Sequence, residues 1–124
     1  MRSISKWTLA WTLLFAFTSH AAEPLQAKIT AVGFEYANIT TDLDFSALVG
    51  AGVKMGQSFE VAHGERRLKV TLGGDYGDVE VGNWVALAGD GDKVELAISF
   101  GHACTEINCT VGDVLTIHPG SAKP

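Results

Sequence analysis

Two short segments alternate apolar residues with a period of two, and this alternation constrains the fold more than any other feature. In residues 68–72 and 93–98, every second residue is Leu, Val or Ile. This period matches a β-strand with one buried face. Residues 89–92, Gly-Asp-Gly-Asp, separate the second segment from residues 83–88, and Gly and Asp tolerate the backbone angles of hairpin turns. The sequence therefore predicts antiparallel strands.

Other β-prone segments are equally short. They cover residues 28–32, 36–40, 58–62 and 114–117. Residues 43–49 and 102–107 can each form one or two helical turns. We therefore predict an all-β fold: a small, mostly antiparallel β-barrel with one or two short helical turns, which follows an N-terminal signal peptide.

The signal peptide is predicted from the first 21 residues. Arg2 and Lys6 precede an apolar run over residues 7–17, and the small residues Ser19 and Ala21 suit a cleavage site. The run is shorter than the roughly 20 residues that a membrane-spanning helix needs. We predict cleavage after Ala21, with Ala22 as the alternative, and export to the periplasm or the medium without a membrane anchor. Residues 22–118 then form one β-barrel domain, and residues 119–124 form a flexible tail.

The charge of the remaining chain narrows the choice of partners. Without Arg2 and Lys6, seven of the nine Lys and Arg residues remain beside 14 Asp and Glu. This excess of negative charge repels phosphates, so we expect neither a nucleic-acid partner nor an anionic membrane. The one basic cluster is Arg66, Arg67 and Lys69, which we interpret as an exposed strand end that could also meet an acidic ligand. No pattern indicates a cofactor.

Cys104 and Cys109 predict a disulfide in an exported chain. In a continuous helix, Cα atoms five residues apart are roughly 8 Å from each other, which is too far for a disulfide. The helical turn must therefore end before Cys109, and Asn108 can end it in a left-handed conformation. The alternatives are free buried cysteines or a metal site of His102, Cys104 and Cys109 with His118 as a further ligand, since thiolates and imidazoles suit Zn or Cu(I).

A short pattern recurs three times, each time before a β-prone segment. Gly56, Gly82 and Gly112 each follow an apolar residue and precede a polar one. Glycine can supply a positive φ angle. We interpret the three as strand starts in a compact barrel, with three unrelated β-turns as the alternative.

Four segments together resemble a known family. They are ITAVGFEYANI from Ile29, YGDVEVGNWVAL from Tyr76, LAISFGHAC from Leu96 and VGDVLTI from Val111. In order and spacing they are similar to the C-terminal domain of the S-adenosyl-L-methionine (SAM) hydroxide adenosyltransferases, SAM hydrolases related to fluorinase and chlorinase. The resemblance implies a small β-barrel that helps to hold the adenine and the methionine end of the ligand at a subunit interface.

The resemblance also implies what this sequence does not supply. In the family, an N-terminal α/β domain carries the catalytic Asp and the ribose contacts, and these residues have no counterpart here. Phe34, Ser99 and His102 stand where the family has Asn. Tyr76 matches an aromatic residue of the family and can still stack on a base.

We therefore predict an exported, non-catalytic module that binds a small ligand, such as an adenosine-like compound, or a protein partner. The candidate ligand surface comprises Tyr76 and Phe100 as apolar faces, Gly101, and His102 as a polar edge, with Phe34 nearby. Core packing is the alternative role of these aromatic residues. A periplasmic metal-binding protein, an accessory subunit of a two-chain SAM-hydrolysing enzyme and a homo-oligomer remain open.

Overall fold

Seven strands and two short helices make up residues 22–124, the part of the chain that a computed structural model describes. The strands are β1 Leu25–Val32, β2 Ile39–Asp44, β3 Ser58–His63, β4 Arg66–Leu72, β5 Trp84–Ala88, β6 Lys93–Ile98 and β7 Val114–Lys123. The helices are α1 Phe45–Gly50 and α2 Ala103–Ile107, and 3-10 turns cover Tyr76–Asp78 and Asp90–Asp92. The predicted signal peptide, residues 1–21, lies outside the described residues.

The strands close into a barrel in the order β1-β2-β6-β5-β4-β3-β7, and β7 returns to β1. Every neighbouring pair is antiparallel except β4 and β5, which run parallel. The predicted all-β class and the mostly antiparallel barrel with short helical turns are confirmed. So is the hairpin of β5 and β6, in which Ala88 lies opposite Val94.

The period-two alternation separates the inside of the barrel from the outside. Leu68, Val70 and Leu72 of β4 point into the main core, as do Val94, Leu96 and Ile98 of β6. A second, smaller cluster of Val85, Leu87 and Ala97 forms on the opposite face of β5 and β6, where Val79 packs against it. Burial of apolar side chains contributes most of the favourable free energy of folding. The second cluster also fixes the segment that carries the Tyr76–Asp78 turn.

The three glycine patterns form the same turn. Gly56, Gly82 and Gly112 have φ angles of 87°, 91° and 101°. In each turn the amide of the next residue donates to the carbonyl two residues before the glycine, at 3.0 Å. A glycine with positive φ at the third position is typical of a type II turn. Since these turns lead into β3, β5 and β7, the interpretation as strand starts is confirmed.

Two predictions of local structure are wrong. Residues 36–40 do not form one strand, because the Gly33 amide donates to the Asn38 carbonyl at 2.8 Å and closes a loop before β2. Residues 119–124 are not a flexible tail, because β7 continues to Lys123, which lies opposite Ser58. The Ser121 hydroxyl also accepts a hydrogen bond from the Glu60 amide at 2.8 Å. Backbone hydrogen bonds thus hold both segments in place.

In residues 22–124, no helix combines the length and the apolar character needed to cross a membrane.

A histidine–carboxylate pair ties the end of β3 to the turn before β7. His63 Nε2 lies 2.8 Å from Asp113 Oδ2, which also accepts a hydrogen bond from the Thr110 amide at 2.9 Å. The hydrogen bonds from His63 and then from Thr110 lower the pKa of Asp113 below its ordinary value of 3.8. The native state therefore favours the charged carboxylate.

We expect this pair to make part of the stability depend on pH. Because the pKa of Asp113 is lower in the folded state, its contribution is present above about pH 4 and is lost as the pH falls through the folded pKa. Asp113→Asn should lower the Tm at neutral pH and flatten its decline from about pH 5 to about pH 2. Thermal melts across this range test the prediction, with Asp90→Asn in an exposed turn as control. An unchanged acid slope in Asp113→Asn would contradict it.

Candidate functional site

A cleft of about 180 Å³ opens at the end of the barrel where β1 and β6 end. It is lined by Tyr36, Asn38, Tyr76, Ile98 and Phe100. These residues come from the β1–β2 loop, the connection between β4 and β5, the last residue of β6 and the turn that follows it. The β4–β5 connection reaches the cleft because it runs back over the outer face of β5 and β6, where Val79 packs against Val85, Leu87 and Ala97.

Helix α2 holds the loop that carries Tyr36. The Ala103 amide donates to the Tyr36 carbonyl at 3.2 Å, and the Cys104 amide donates to the Ala37 carbonyl at 2.9 Å. These amides belong to the first turn of the helix, where they have no partner within the helix. The loop therefore caps α2, and α2 fixes the position of the loop.

The predicted disulfide closes the other end of α2. Cys104 and Cys109 are bonded, with their Cα atoms 5.1 Å apart. Asn108 ends the helix in the left-handed conformation, at φ 54° and ψ 50°. The sequence argument required this termination, because a continuing helix would separate the two residues. With both sulfur atoms in the bond, no thiolate remains to bind a metal.

The Tyr76–Asp78 turn is held by its own acidic side chains. Asp75 Oδ1 accepts a hydrogen bond from the Gly77 amide at 2.7 Å, and Asp75 and Asp78 form a reciprocal capping box. Asp78 Oδ2 also accepts from the Gly74 amide at 2.6 Å. The acidic residues in this segment thus serve the turn, which carries Tyr76 to the edge of the cleft.

A polar network connects the walls of the cleft. Asn38 Nδ2 donates to the Tyr76 hydroxyl at 2.9 Å and to Glu95 Oε2 at 3.0 Å. Because a carboxylate only accepts hydrogen bonds, the Asn38 nitrogen must face Glu95. The Asn38 amide oxygen then accepts no hydrogen bond from any residue in the described part of the chain. It is free to accept one from a ligand.

The same surroundings keep the Tyr76 hydroxyl protonated. Its partial burial, followed by the nearby charge of Glu95, raises the pKa of Tyr76 above its ordinary value of 10.0. The hydroxyl lies 3.5 Å from Glu95 Oε2, which is a long hydrogen bond. Tyr76 therefore offers the cleft a neutral hydroxyl group next to an aromatic face.

Phe100 adopts a backbone conformation that is rare for a bulky residue. Its φ angle is 55°, and its side chain is 85% exposed. The Gly101 amide donates to the Ile98 carbonyl at 3.0 Å and closes the turn around Phe100. A non-glycine residue with positive φ is strained, and such strain is concentrated at functional sites. This turn holds an exposed aromatic ring at the edge of the cleft.

The predicted ligand surface is only partly assembled in this cleft. Tyr76 and Phe100 line it, and neither packs into the core. Gly101 acts indirectly, because a Cβ atom on it would lie 2.5 Å from Ile98 Cγ2. The His102 ring lies against Tyr36, with ring centroids 6.2 Å apart, and it does not line the cleft. Phe34 is fully exposed and is also not a lining residue.

The sequence argument missed Tyr36, Asn38 and Glu95 as site residues. The composition of residues 36–40 predicts a strand that includes Tyr36 and Asn38, although the preceding Gly33 indicates a turn. Glu95 alternates with the buried Val94 and Leu96, which indicates the outer face of β6 but not what covers that face.

The alternative metal site is not supported. Cys104 and Cys109 are joined to each other, and His118 lies on β7 opposite Glu60 of β3. Over residues 22–124, no three His, Cys, Asp or Glu residues are grouped so that they could hold a metal ion.

Residues 27–116 match the family described as "SAM hydroxide adenosyltransferase C-terminal domain". No curated protein matches this chain.

Two solved structures share the fold. An uncharacterized conserved protein from Thermotoga maritima is 20% identical, has a TM-score of 0.72, and matches over 76% of this chain and 35% of its own. A conserved hypothetical protein from Thermus thermophilus is 22% identical, has a TM-score of 0.54, and matches over 78% of this chain and 36% of its own. The present chain thus spans about a third of the length of these two proteins.

Proposed function

Because this chain belongs to the SAM hydroxide adenosyltransferase C-terminal domain family, we propose that its cleft binds a small planar ligand such as an adenosine-like compound. The observation that carries the proposal is the cleft itself. Three aromatic residues, Tyr36, Tyr76 and Phe100, line it together with Asn38, whose amide nitrogen is bonded to Tyr76 and Glu95 while its amide oxygen is not used. Aromatic faces with a few placed polar groups are typical of small-molecule sites.

The size of the cleft limits the part of the ligand that can enter. Its volume of about 180 Å³ is smaller than that of pockets for drug-sized molecules, which begin at about 300 Å³. One planar ring system fits, whereas a whole nucleoside does not. We infer that a base stacks between the rings and that a sugar, if present, lies at the open side.

The polar network selects the edge of the ring. Asn38 Nδ2 already donates hydrogen bonds to Tyr76 and Glu95, so the amide oxygen of Asn38 is the group that can bond to a ligand. An acceptor favours a ligand with an amino group, as on the edge of adenine. The carboxylate of Glu95 disfavours anionic ligands nearby. The chemistry therefore favours a neutral ring with an amino substituent.

Stacking on Tyr76 can be tested by substitution. Tyr76→Ala should weaken the binding of adenosine about tenfold, because it removes an aromatic contact worth about 1.4 kcal/mol. Tyr76→Phe should keep most of the affinity, since the ring remains. Isothermal titration of the purified protein with adenosine measures both effects.

Phe34→Ala is the matched control, because Phe34 is an exposed aromatic residue that does not line the cleft. Equal adenosine affinities in Tyr76→Ala and the unsubstituted protein would contradict binding in this cleft. So would the absence of saturable binding to adenosine, adenine and SAM alike.

We also propose that the chain is exported and acts without catalysis of its own. A disulfide persists in oxidising compartments, which supports export. N-terminal sequencing of the protein from a periplasmic extract should begin at Ala22 or Glu23. Incubation of the pure protein with SAM should release no adenosine, and turnover above background would contradict the non-catalytic role.

A further inference from the structure

The first half of β4 has no neighbouring strand on the side of β5. The parallel pairing with β5 starts only at Val70, opposite Trp84, and continues to Leu72. On its other side, β4 pairs with β3 over the whole length from Arg66 to Thr71. Residues 66–69 therefore form an open edge inside an otherwise closed barrel wall.

The hydrogen-bond pattern shows which backbone groups face this open edge. The Leu72 amide donates to the Gln57 carbonyl on the side of β3, whereas the Gly73 amide donates to Ala86 of β5. Directions alternate along an antiparallel strand. The amides of Arg67 and Lys69 therefore point to the same side of β4 as the Gly73 amide. Unlike Gly73, Arg67 and Lys69 have no strand beside them on that side.

The turn before β5 does not cover this edge. The Gly82 amide donates to the Ser99 carbonyl at 2.9 Å, and the Asn83 amide donates to Glu80 at 3.0 Å. Both amides are thus directed away from β4. A groove of about 390 Å³ lies between the two segments, and Lys69, Thr71 and Trp84 are among its lining residues.

The open edge coincides with the basic cluster of the chain. Arg66 pairs with Glu106 and Arg67 with Glu60, each at 3.0 Å, while Lys69 has no ion pair in residues 22–124. Arg67 and Lys69 alternate with the inward-facing Leu68, so both side chains lie on the outer face. An added strand would place its own outer residues directly beside these two cations.

We propose that residues 66–69 bind an extended acidic segment of a partner protein as an additional strand. The open amides of Arg67 and Lys69 would donate to the carbonyls of the segment, which is the recognition mode of strand addition. Glu or Asp at alternate positions would face Arg67 and Lys69, and opposite charges on neighbouring strands are stabilising. The negative charge on the rest of the chain repels an acidic segment, so the segment is attracted to this basic cluster.

NMR spectroscopy of the ¹⁵N-labelled protein tests the proposal with a blocked peptide, acetyl-Glu-Val-Glu-Val-Glu-amide. The amide resonances of Arg67 and Lys69 should shift in a saturable way. The matched lysine peptide should shift them at least about fivefold less, because it repels Arg67 and Lys69. The acidic peptide with N-methylated alternate residues should also shift them at least about fivefold less, because the methyl groups prevent its backbone from approaching as a strand. Equal effects of the three peptides would overturn the proposal, as would the absence of any shift.

Two further measurements separate strand addition from simple charge attraction. Lys69→Glu should weaken binding of the acidic peptide about fivefold, whereas Lys28→Glu, a charge reversal at an exposed position of β1, should leave its affinity unchanged. Inorganic phosphate, added at the same concentration of negative charge as the peptide, should not reproduce the shifts of the Arg67 and Lys69 amide resonances. If phosphate shifts the same amides and displaces the peptide, the groove binds anions only and the proposal fails.

Discussion

Serine at both Cys104 and Cys109 is expected to lower the free energy of unfolding by about 2 kcal/mol, because the disulfide removes about this much chain entropy from the unfolded state. The bond closes a short loop, since its two residues are separated by 5 positions in the sequence. The folded state is affected as well, because the first amides of α2 hold the carbonyls of Tyr36 and Ala37.

Urea unfolding of the double-serine variant measures this effect. Dithiothreitol should destabilise the unsubstituted protein by a similar amount. It should leave the stability of the double-serine variant unchanged, which shows that the reagent acts through the disulfide. The affinity for adenosine should also fall, since the cleft loses support for Tyr36. Equal midpoints of the two proteins in urea would contradict a stabilising role of the disulfide.

Gly101→Ala is expected to destabilise the protein by about 1–3 kcal/mol, the usual cost of overpacking. A Cβ atom at this position would lie 2.5 Å from Ile98 Cγ2 and 3.0 Å from Ile98 Cβ. Ile98 is only 9% exposed, packs in the core and also lines the cleft. The substitution must therefore displace Ile98 and change the shape of the cleft.

Gly50→Ala provides the matched control. Gly50 is the last residue of α1, and a Cβ atom there would meet nothing within 4 Å. We expect this variant to be as stable as the unsubstituted protein or slightly more stable, because alanine restricts the unfolded chain. Thermal melts of both variants decide the matter, and equal stability of the two would contradict the role assigned to Gly101.

Local patterns predicted the parts of the fold that depend on local chemistry. Alternation identified β4 and β6, because a strand with one buried face leaves a period of two in the sequence. The Gly and Asp residues between β5 and β6 identified the hairpin, since few other residues accept such turns. Asn108 was identified as the end of α2 because the disulfide requires the helix to end before Cys109 and because Asn tolerates the left-handed conformation.

The errors share a physical cause, which is dependence on contacts distant in sequence. The last residues of β7 are polar and small, and they become strand because β3 offers them a partner. Tyr36 and Asn38 have the composition of a strand, yet α2 and Gly33 hold them in a loop. The cleft combines residues from three connections and the end of β6, so the sequence indicated Tyr76 and Phe100 but not the residues that line the cleft with them.

The family match agrees with the observed β-barrel, and the proposed function rests on the cleft. Because Phe34, Ser99 and His102 stand where the resembled family has Asn, the proposed recognition uses other groups. Asn38, supported by Glu95 and Tyr76, provides one such group. This is why the proposed ligand is defined by a planar ring with an amino edge rather than by the whole SAM molecule.

The most direct test of this account is an NMR titration of the protein with adenine. Binding in the cleft predicts saturable shifts at Tyr36, Asn38 and Tyr76, including the side-chain amide of Asn38, and smaller effects at Phe34. Replacing adenine by purine, which lacks the amino group, should weaken binding about tenfold, because the Asn38 amide oxygen then has no donor. Shifts confined to another surface, or equal affinities for adenine and purine, would contradict the proposed site.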